Sequence, residues 1–365
     1  MIILIDLTCL SYHMTGIERY ALCITKEMII QDHKNKYILL FRDEVFHELK
    51  PFVDRKKIIA KIIYGNHKQV FNLFVLPCEL KKIKADAYLF FASRNPLLFR
   101  RKGIYCTIHD LVCWDYPETT RRLQRLYSKI ANKNAARVAE HIFTVSEFSR
   151  GRINKLLNVP LDRITVTYNG ISDSLSKENY ANYEIVRKKY NLPEKYIMNL
   201  STLEPRKNLP LLLKCFDQIS DQVDYDIVLV GRKGWKIDEF LQGIKSNERV
   251  HITGFVEDRE VIQIYKHTLC FVFTSVYEGF GIPPIEALYF GTPVLSSDAA
   301  ALPEVLRNKA NYFESMNEED LKRKLLTIEK DSKVMPRELD DFQKSMFQFS
   351  VSAKRIIKVL SDSRK

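Results

Sequence analysis

FVFTSVYEGFGIPPIEALYFGTPVLSSDAAALPE, residues 271–304, is the stretch whose reading decides the architecture. It continues an apolar run, 270–273, that has the length and the β-branched or aromatic character of a buried strand. Thr274, Ser275 and Glu278 follow, then Gly279-Phe280-Gly281, then Pro283-Pro284 and an apolar-periodic segment carrying Glu286. Proline is tolerated in a first helical turn, where its missing N–H would lack a partner anyway, so the spacing predicts a helix starting near Pro284. Glu278 then lies in a strand-to-helix loop and Glu286 in the first turns of the helix. The glycines let the backbone approach a ligand, and the helix N-terminus offers N–H groups and a positive dipole end to an anion. Alone, Glu286 is explained as a first-turn glutamate complementing the dipole. With turn glycines, prolines and a second strand at 293–297 around it, the stretch reads as a ligand loop. Its carboxylates suit sugar and ribose hydroxyls, and its amides suit phosphates.

The same alternation runs outward in both directions. Upstream, apolar runs at 2–7, 37–41, 58–63, 87–91, 104–108, 141–145 and 164–166 alternate with helical patterns, and after the Asn169-Gly170 turn the pattern resumes at 196–200, 226–230 and 250–253. Such alternation predicts an α/β fold with parallel sheets covered on both faces, whose ligands bind beyond the carboxyl ends of the strands. Two of these strand ends carry reactive types. His109-Asp110 follows 104–108, where a satisfied strand-end histidine is the plain alternative. Arg206 and Lys207 follow 196–200, in a loop that feeds a helix from Leu209 which Asn208 can cap. Adjacent cations at that place suit a diphosphate through charge-assisted hydrogen bonds. The basic loop 231–235, GRKGW, has similar promise, whereas Asp224-Tyr225-Asp226 reads as a strand entrance and Ser146 and Ser149 as helix caps.

The chain has 365 residues, 46% hydrophobic and 28% charged, which suits two soluble domains. A net charge of +12 points to an anionic partner without naming it. Seven scattered cysteines without C-x-x-C spacing read as buried free thiols of a reducing compartment. The start, MIILIDLTCLSY, lacks a basic n-region and reads as a strand, and no apolar run reaches the roughly 18 residues of a membrane span. No P-loop and no G-x-G-x-x-G after the first strand is found. On the expected helix 120–140, Leu123, Leu126, Tyr127, Ile130 and Val138 are read toward the core. Arg122, Arg125, Lys129, Lys133 and Arg137 form a stripe on another face, read either as a solvated face or as a docking surface for anionic lipid.

Taken in order, TGIERY (15–20), TIHDL (107–111), VSEFSR (145–150), NG (169–170), STLEPRKN (201–208), VGRKGW (230–235), EGFGIPPIEA (278–287), GTPV (291–294) and LPEV (302–305) resemble the retaining nucleotide-sugar glycosyltransferases of family 4, and TLEPRKN with EGFGIPPIEA leans toward the mannosyl- and rhamnosyltransferases among them. The resemblance implies the GT-B fold: two Rossmann-like domains with parallel sheets facing across a cleft, acceptor on the N-terminal side and donor on the C-terminal side. The expected domains are 1–177 and 178–345, with a helix in 346–365 packing back on the first. By resemblance, Glu278 and His109 are the catalytic residues, touching the transferred sugar. Arg206 and Lys207 bind the donor diphosphate, and Glu286 binds the ribose. Phe280, Gly281 and Ile282 contribute amides, and Gly16 lets the first loop approach the phosphates. No metal and no cofactor is expected.

The expected partners are a nucleotide-sugar donor, with GDP-mannose the first choice, a glycan or lipid-linked acceptor, and an anionic membrane at the cytoplasmic face of the plasma membrane; nucleic acid is not expected. A GT-B nucleotide-sugar epimerase and a non-catalytic polysaccharide-assembly partner are the alternatives. The sequence departs from the family at Ser201, where glycine is common, at the single glycine of the first loop, and at Val351, where tryptophan often follows F-S.

Overall fold

Short apolar runs separated by helical patterns leave few choices but parallel pairing, because parallel neighbours need a crossover of a dozen or more residues. The computed structural model describes residues 1–12, 14–53, 57–65, 70–92, 95–172, 175, 180–234, 247–336 and 338–363. Within them the chain forms two compact units, Met1–Gly170 with Met346–Lys365, and Ile171–Ser345. The division falls somewhat before the 177/178 boundary read from the sequence.

In the first unit β1 (Ile2–Asp6), β2 (Lys36–Arg42), β3 (Ile58–Ile63), β4 (Ala87–Phe90), β5 (Ile104–Thr107), β6 (His141–Thr144) and β7 (Ile164–Val166) pair in the order β3-β2-β1-β4-β5-β6-β7. Every pairing is parallel. All residues of β4 and β5 are buried, as expected of strands covered on both faces. In the second unit β8 (Tyr196–Leu200), β9 (Asp226–Val230), β10 (Val250–Gly254), β11 (Cys270–Phe273), β12 (Val294–Ser297) and β13 (Asn311–Phe313) pair, again in parallel, as β10-β9-β8-β11-β12-β13. Each sheet grows outward in one direction from its first strand and then returns to that strand's other side. The topological switch points are therefore β1/β4 and β8/β11, where doubly wound sheets open a crevice at the strands' carboxyl ends.

The helices used below are α1 (Gly16–Gln31), α2 (Arg122–Val138), α3 (Glu147–Leu157), α4 (Leu209–Asp217), α5 (Asp258–His267), α6 (Ile282–Tyr289) and α7 (Phe349–Asp362). α7 lies in the first unit against α1: Gln31 Nε2 donates to the Ser350 carbonyl at 3.1 Å, and Ser352 Oγ donates to the Tyr168 carbonyl at 2.7 Å. A Cβ on Gly170 would stand 2.6 Å from Phe349 N, so the returning segment presses on the Asn169-Gly170 turn.

Three expectations are corrected, and one strand is added. Leu123, Leu126 and Ile130 are 83%, 60% and 47% exposed, and α2 instead buries Ala131, Asn132, Asn134 and Ala135. Asn208 adopts a left-handed conformation (φ 49°, ψ 39°) and makes no side-chain cap for α4. All seven cysteines carry thiols and none is in a disulfide, but Cys78 is exposed and Cys9 half-buried. β13, a three-residue edge strand, had no counterpart in the sequence reading.

Candidate functional site

The site in the second unit is built where β8 and β11 end side by side. Asn199 Nδ2 donates to the Val272 carbonyl at 2.8 Å, tying the two strands, and Ser201 Oγ donates to Asn199 Oδ1 at 2.8 Å. The Ser201 hydroxyl is thereby turned into the sheet. Beyond the strand ends, the loops stay joined: Val276 N–H donates to the Arg206 carbonyl at 3.0 Å and Thr274 Oγ1 to the Lys207 carbonyl at 2.7 Å. Two residues far apart in sequence are thus held in register by backbone, before any side chain is considered.

On this frame the side chains converge. Lys207 Nζ lies 2.6 Å from Glu278 Oε1 and 5.2 Å from the centre of the Phe273 ring. Arg206 places one terminal nitrogen 2.9 Å from Glu278 Oε2, and that same nitrogen donates to the Tyr277 carbonyl at 2.9 Å. Lys207 and Glu278 are buried, at 7% and 8% exposure. Burial alone would raise the Glu278 carboxyl, but the Arg206 and Lys207 charges and the Lys207 hydrogen bond outweigh it and hold the group at about 2. The carboxylate is ionised at any neutral pH.

Sequence reasoning passed over Glu204. Its Oε1 accepts from Arg206 at 2.8 and 3.2 Å, fixing the guanidinium edge opposite Glu278. A carboxylate two residues before a strand-end arginine was the available signal.

Glu286, 6% exposed, sits on α6 with Tyr265 OH 3.3 Å from its Oε2; the same hydroxyl donates to the Pro283 carbonyl at 3.2 Å. Gly281 precedes α6 at φ 93°, a backbone conformation glycine adopts without strain. Phe280 is buried and Ile282 half-buried. Pro283 and Pro284 carry no N–H, so this helix end has fewer backbone donors than a first turn ordinarily holds.

The loop after β9 lies on the loop after β8. Leu203 N–H donates to the Arg232 carbonyl and Gly234 N–H to the Leu203 carbonyl, both at 2.9 Å. Arg232 stacks over Phe255 at 4.3 Å. Trp235, the last residue of the basic loop read from the sequence, lies outside the described residues. Asp226 is engaged by Arg249 and His251, each at 2.9 Å, and Asp224 by Lys195 at 2.6 Å, as residues at a strand entrance.

Gly16 and His109 belong to the first unit. Gly16 opens α1, where Thr15 N–H donates to Glu18 Oε2 at 2.6 Å. His109 is 7% exposed, and its Nε2 donates to the Phe91 carbonyl at 2.7 Å, since a carbonyl only accepts. The Tyr20 ring meets it edge-on with centroids 5.0 Å apart. Burial pushes the imidazole below its ordinary value, so it is neutral at pH 7. Ser149 Oγ donates to the His109 carbonyl at 3.1 Å, and Ser146 caps α3 by accepting from Ser149 N–H at 3.0 Å.

Among the described residues no three His, Cys, Asp or Glu side chains gather as metal ligands, and no helix is long and apolar enough to cross a membrane.

Comparison with known proteins bears on what this arrangement does. The family glycosyl transferases group 1 matches residues 182–345, and glycosyltransferase family 4 matches residues 14–175. The O-antigen chain mannosyltransferase B of Escherichia coli is 29% identical over 314 residues, 81% of this chain and 82% of that one. The O-antigen chain mannosyltransferase RfbU of Salmonella typhimurium is 29% identical over 226 residues, 61% of this chain and 60% of that one. Anabaena HepE, solved in complex with UDP-glucose, shares the fold with a TM-score of 0.75 over 99% of both chains at 18% identity.

Proposed function

Because the chain belongs to the glycosyltransferases, of family 4 through its first half and of group 1 through its second, we propose that it moves mannose from GDP-mannose onto a growing, lipid-linked surface polysaccharide. The reaction retains the anomeric configuration, needs no metal, and takes place at an anionic membrane on the cytoplasmic side. The bond from the sugar's anomeric carbon to the diphosphate breaks, an acceptor hydroxyl oxygen forms the new bond and passes its proton to the departing diphosphate oxygen, and GDP leaves with the bonding pair. The relatives named above, two O-antigen mannosyltransferases, support the sugar and the acceptor class.

The observation that carries the reading is the convergence of Arg206 and Lys207 on one carboxylate at the switch point of the second sheet. Prearranged cations stabilise a leaving diphosphate without reorganising at the moment of bond breaking. In this reading the diphosphate takes Arg206 and Lys207 from Glu278, and the freed carboxylate accepts hydrogen bonds from the transferred sugar. Glu286 takes the ribose hydroxyls, the amides of Phe280, Gly281 and Ile282 assist at the phosphates, and Gly16 and His109 serve the phosphates and the sugar.

The test is thermal stabilisation by GDP, GDP-mannose, UDP-glucose and a dTDP-sugar, with chelator present. A ligand at 100 times its Kd stabilises by about 2.7 kcal/mol. A response confined to GDP and its sugar is expected. A UDP or dTDP response would replace the donor, and silence from all of them would overturn the site assignment. R206A and E278A are expected to abolish transfer from whichever donor binds.

A further inference from the structure

The basic excess of this protein belongs to its first unit. The unit containing Arg206 and Lys207 carries 24 lysines and arginines against 28 aspartates and glutamates, a net −4, whereas the first unit carries 33 against 17, a net +16. A diphosphate-binding role therefore leaves the basic excess unexplained.

Part of that excess is concentrated on α2. Between Glu118 and Glu140 there is no carboxylate, while Arg121, Arg122, Arg125, Lys129, Lys133 and Arg137 all fall there. The same helix leaves Leu123, Leu126 and Ile130 in solvent, at 83%, 60% and 47% exposure, and packs inward through Ala131, Asn132, Asn134, Ala135 and the half-buried Ala136 and Val138, with Lys129 and Lys133 over the Trp114 ring at 4.8 and 5.4 Å. At about 100° per residue, these three apolar side chains and Arg122, Lys133 and Arg137 share one arc of about 100°, opposite Ala131 and Ala135, so of the basic stripe read from the sequence as a separate face only Arg125 and Lys129 fall outside the arc. Large aliphatic side chains and cations on one solvent face are the arrangement of a helix lying in a membrane interface. There the apolar groups sink to the boundary of the acyl chains, and the long basic stems keep their charges among the phosphates.

We infer that this face of α2 docks on a bilayer containing anionic phospholipid. The inference deepens the reading of a lipid-linked acceptor and rests on it, since a membrane-bound acceptor requires the enzyme to work at that surface. A nucleic acid would satisfy the cations and leave the leucines unburied. A second copy docked about a two-fold axis would bury the leucines and set like charges against one another. An anionic bilayer satisfies both groups at once.

Sedimentation of the 365-residue chain with phosphatidylcholine vesicles, with and without about 30% phosphatidylglycerol, reads the contact without donor or turnover, so a failure here is separate from a failure of the donor assignment. The wild type is expected to bind the anionic vesicles at least about tenfold more tightly than the neutral ones, and to release as salt shortens the Debye length. The variant L123N/L126N/I130N is expected to lose at least about tenfold in vesicle affinity. R122Q/K133Q/R137Q should do likewise, and both should melt like the wild type and transfer to a water-soluble acceptor unimpaired. Equal binding to neutral and anionic vesicles, or unchanged binding by both variants, overturns the inference. So does conversion of a dimer to a monomer by the asparagine variant with vesicle binding intact, or binding of duplex DNA in place of vesicles.

Discussion

The ammonium of Lys207 stands 2.6 Å from Glu278 Oε1, an ion pair buried at the point where the second sheet reverses its strand order. Breaking a buried pair from one side leaves the remaining charge without compensation, which costs about 3–5 kcal/mol. The two sides differ here. Without Lys207, the Glu278 carboxylate keeps Arg206 at 2.9 Å; without Glu278, two neighbouring cations face each other. E278A should therefore destabilise by about 3–5 kcal/mol and K207M by less, measured by urea denaturation. E278Q should bind GDP at least as tightly as the wild type, because its cations no longer have an internal competitor, while transfer is lost. Weaker GDP binding by E278Q would contradict the exchange of partners proposed above.

The same carboxylate sets an acid limit. Its native value of about 2 lies below the ordinary 4.5, so its charged form is favoured by folding. That stabilisation is complete above about pH 4.5 and disappears as pH falls toward 2, a loss of about 3 kcal/mol at 1.36 kcal/mol per unit. Denaturation free energies measured across that window should slope downward with acid in the wild type and less steeply in E278Q. Identical slopes would show that Glu278 is not the linked group.

How far the sequence could be read depended on how local the signal was. The runs 58–63, 164–166, 196–200, 226–230 and 270–273 are strands with the expected bounds; 270–273 is buried and apolar at every position, as a strand covered on both faces requires, whereas the edge strand 58–63 leaves Ile59 58% exposed. The pair of positions that makes the site, 206–207 and 278, was legible as two strand-end loops. Their contact was not, since pairing β8 with β11 depends on a crossover that periodicity does not encode. α2 was misread for a related reason. Its leucines have helical spacing, and spacing marks a face without saying what covers it. The buried face is made of Ala131 and Ala135, whose small side chains carry little hydrophobic signal. Asn208 was read as a side-chain cap from its type, yet its left-handed backbone makes it the hinge between the 3₁₀ turn Pro205–Lys207 and α4.

His109 is expected to be neutral at pH 7, with its proton on Nε2. Burial lowers its native value below the ordinary 6.5, so the histidine contributes stability above pH 6.5 that is lost as pH falls through the native value. Nitrogen-15 chemical shifts of the imidazole would show the Nε2–H tautomer directly, and a ring titrating at 6.5 or above would contradict it. H109F removes the donor to the Phe91 carbonyl and should cost about 1–3 kcal/mol, whatever it does to transfer.

Two glycines of the second unit separate backbone strain from close approach. Both lie at positive φ, 134° at Gly231 and 93° at Gly281, so alanine is strained at either position. Their surroundings differ. At Gly281 the added Cβ would meet the end of the Leu302 side chain at 2.7 Å, which can turn aside, whereas at Gly231 it would lie 1.9 Å from the Ser201 carbonyl oxygen. That oxygen belongs to backbone held in place by the Ser201 N–H bond to Val230 at 3.0 Å. G281A is expected to cost about 1–2 kcal/mol, the conformational part alone. G231A adds overpacking against backbone and should cost about 3–5 kcal/mol. It should also weaken nucleotide binding in whatever fraction stays folded, because moving Ser201 moves the loop that carries Arg206 and Lys207. Equal melting temperatures for the two variants would show that the loops after β8 and β9 are not packed against each other as described.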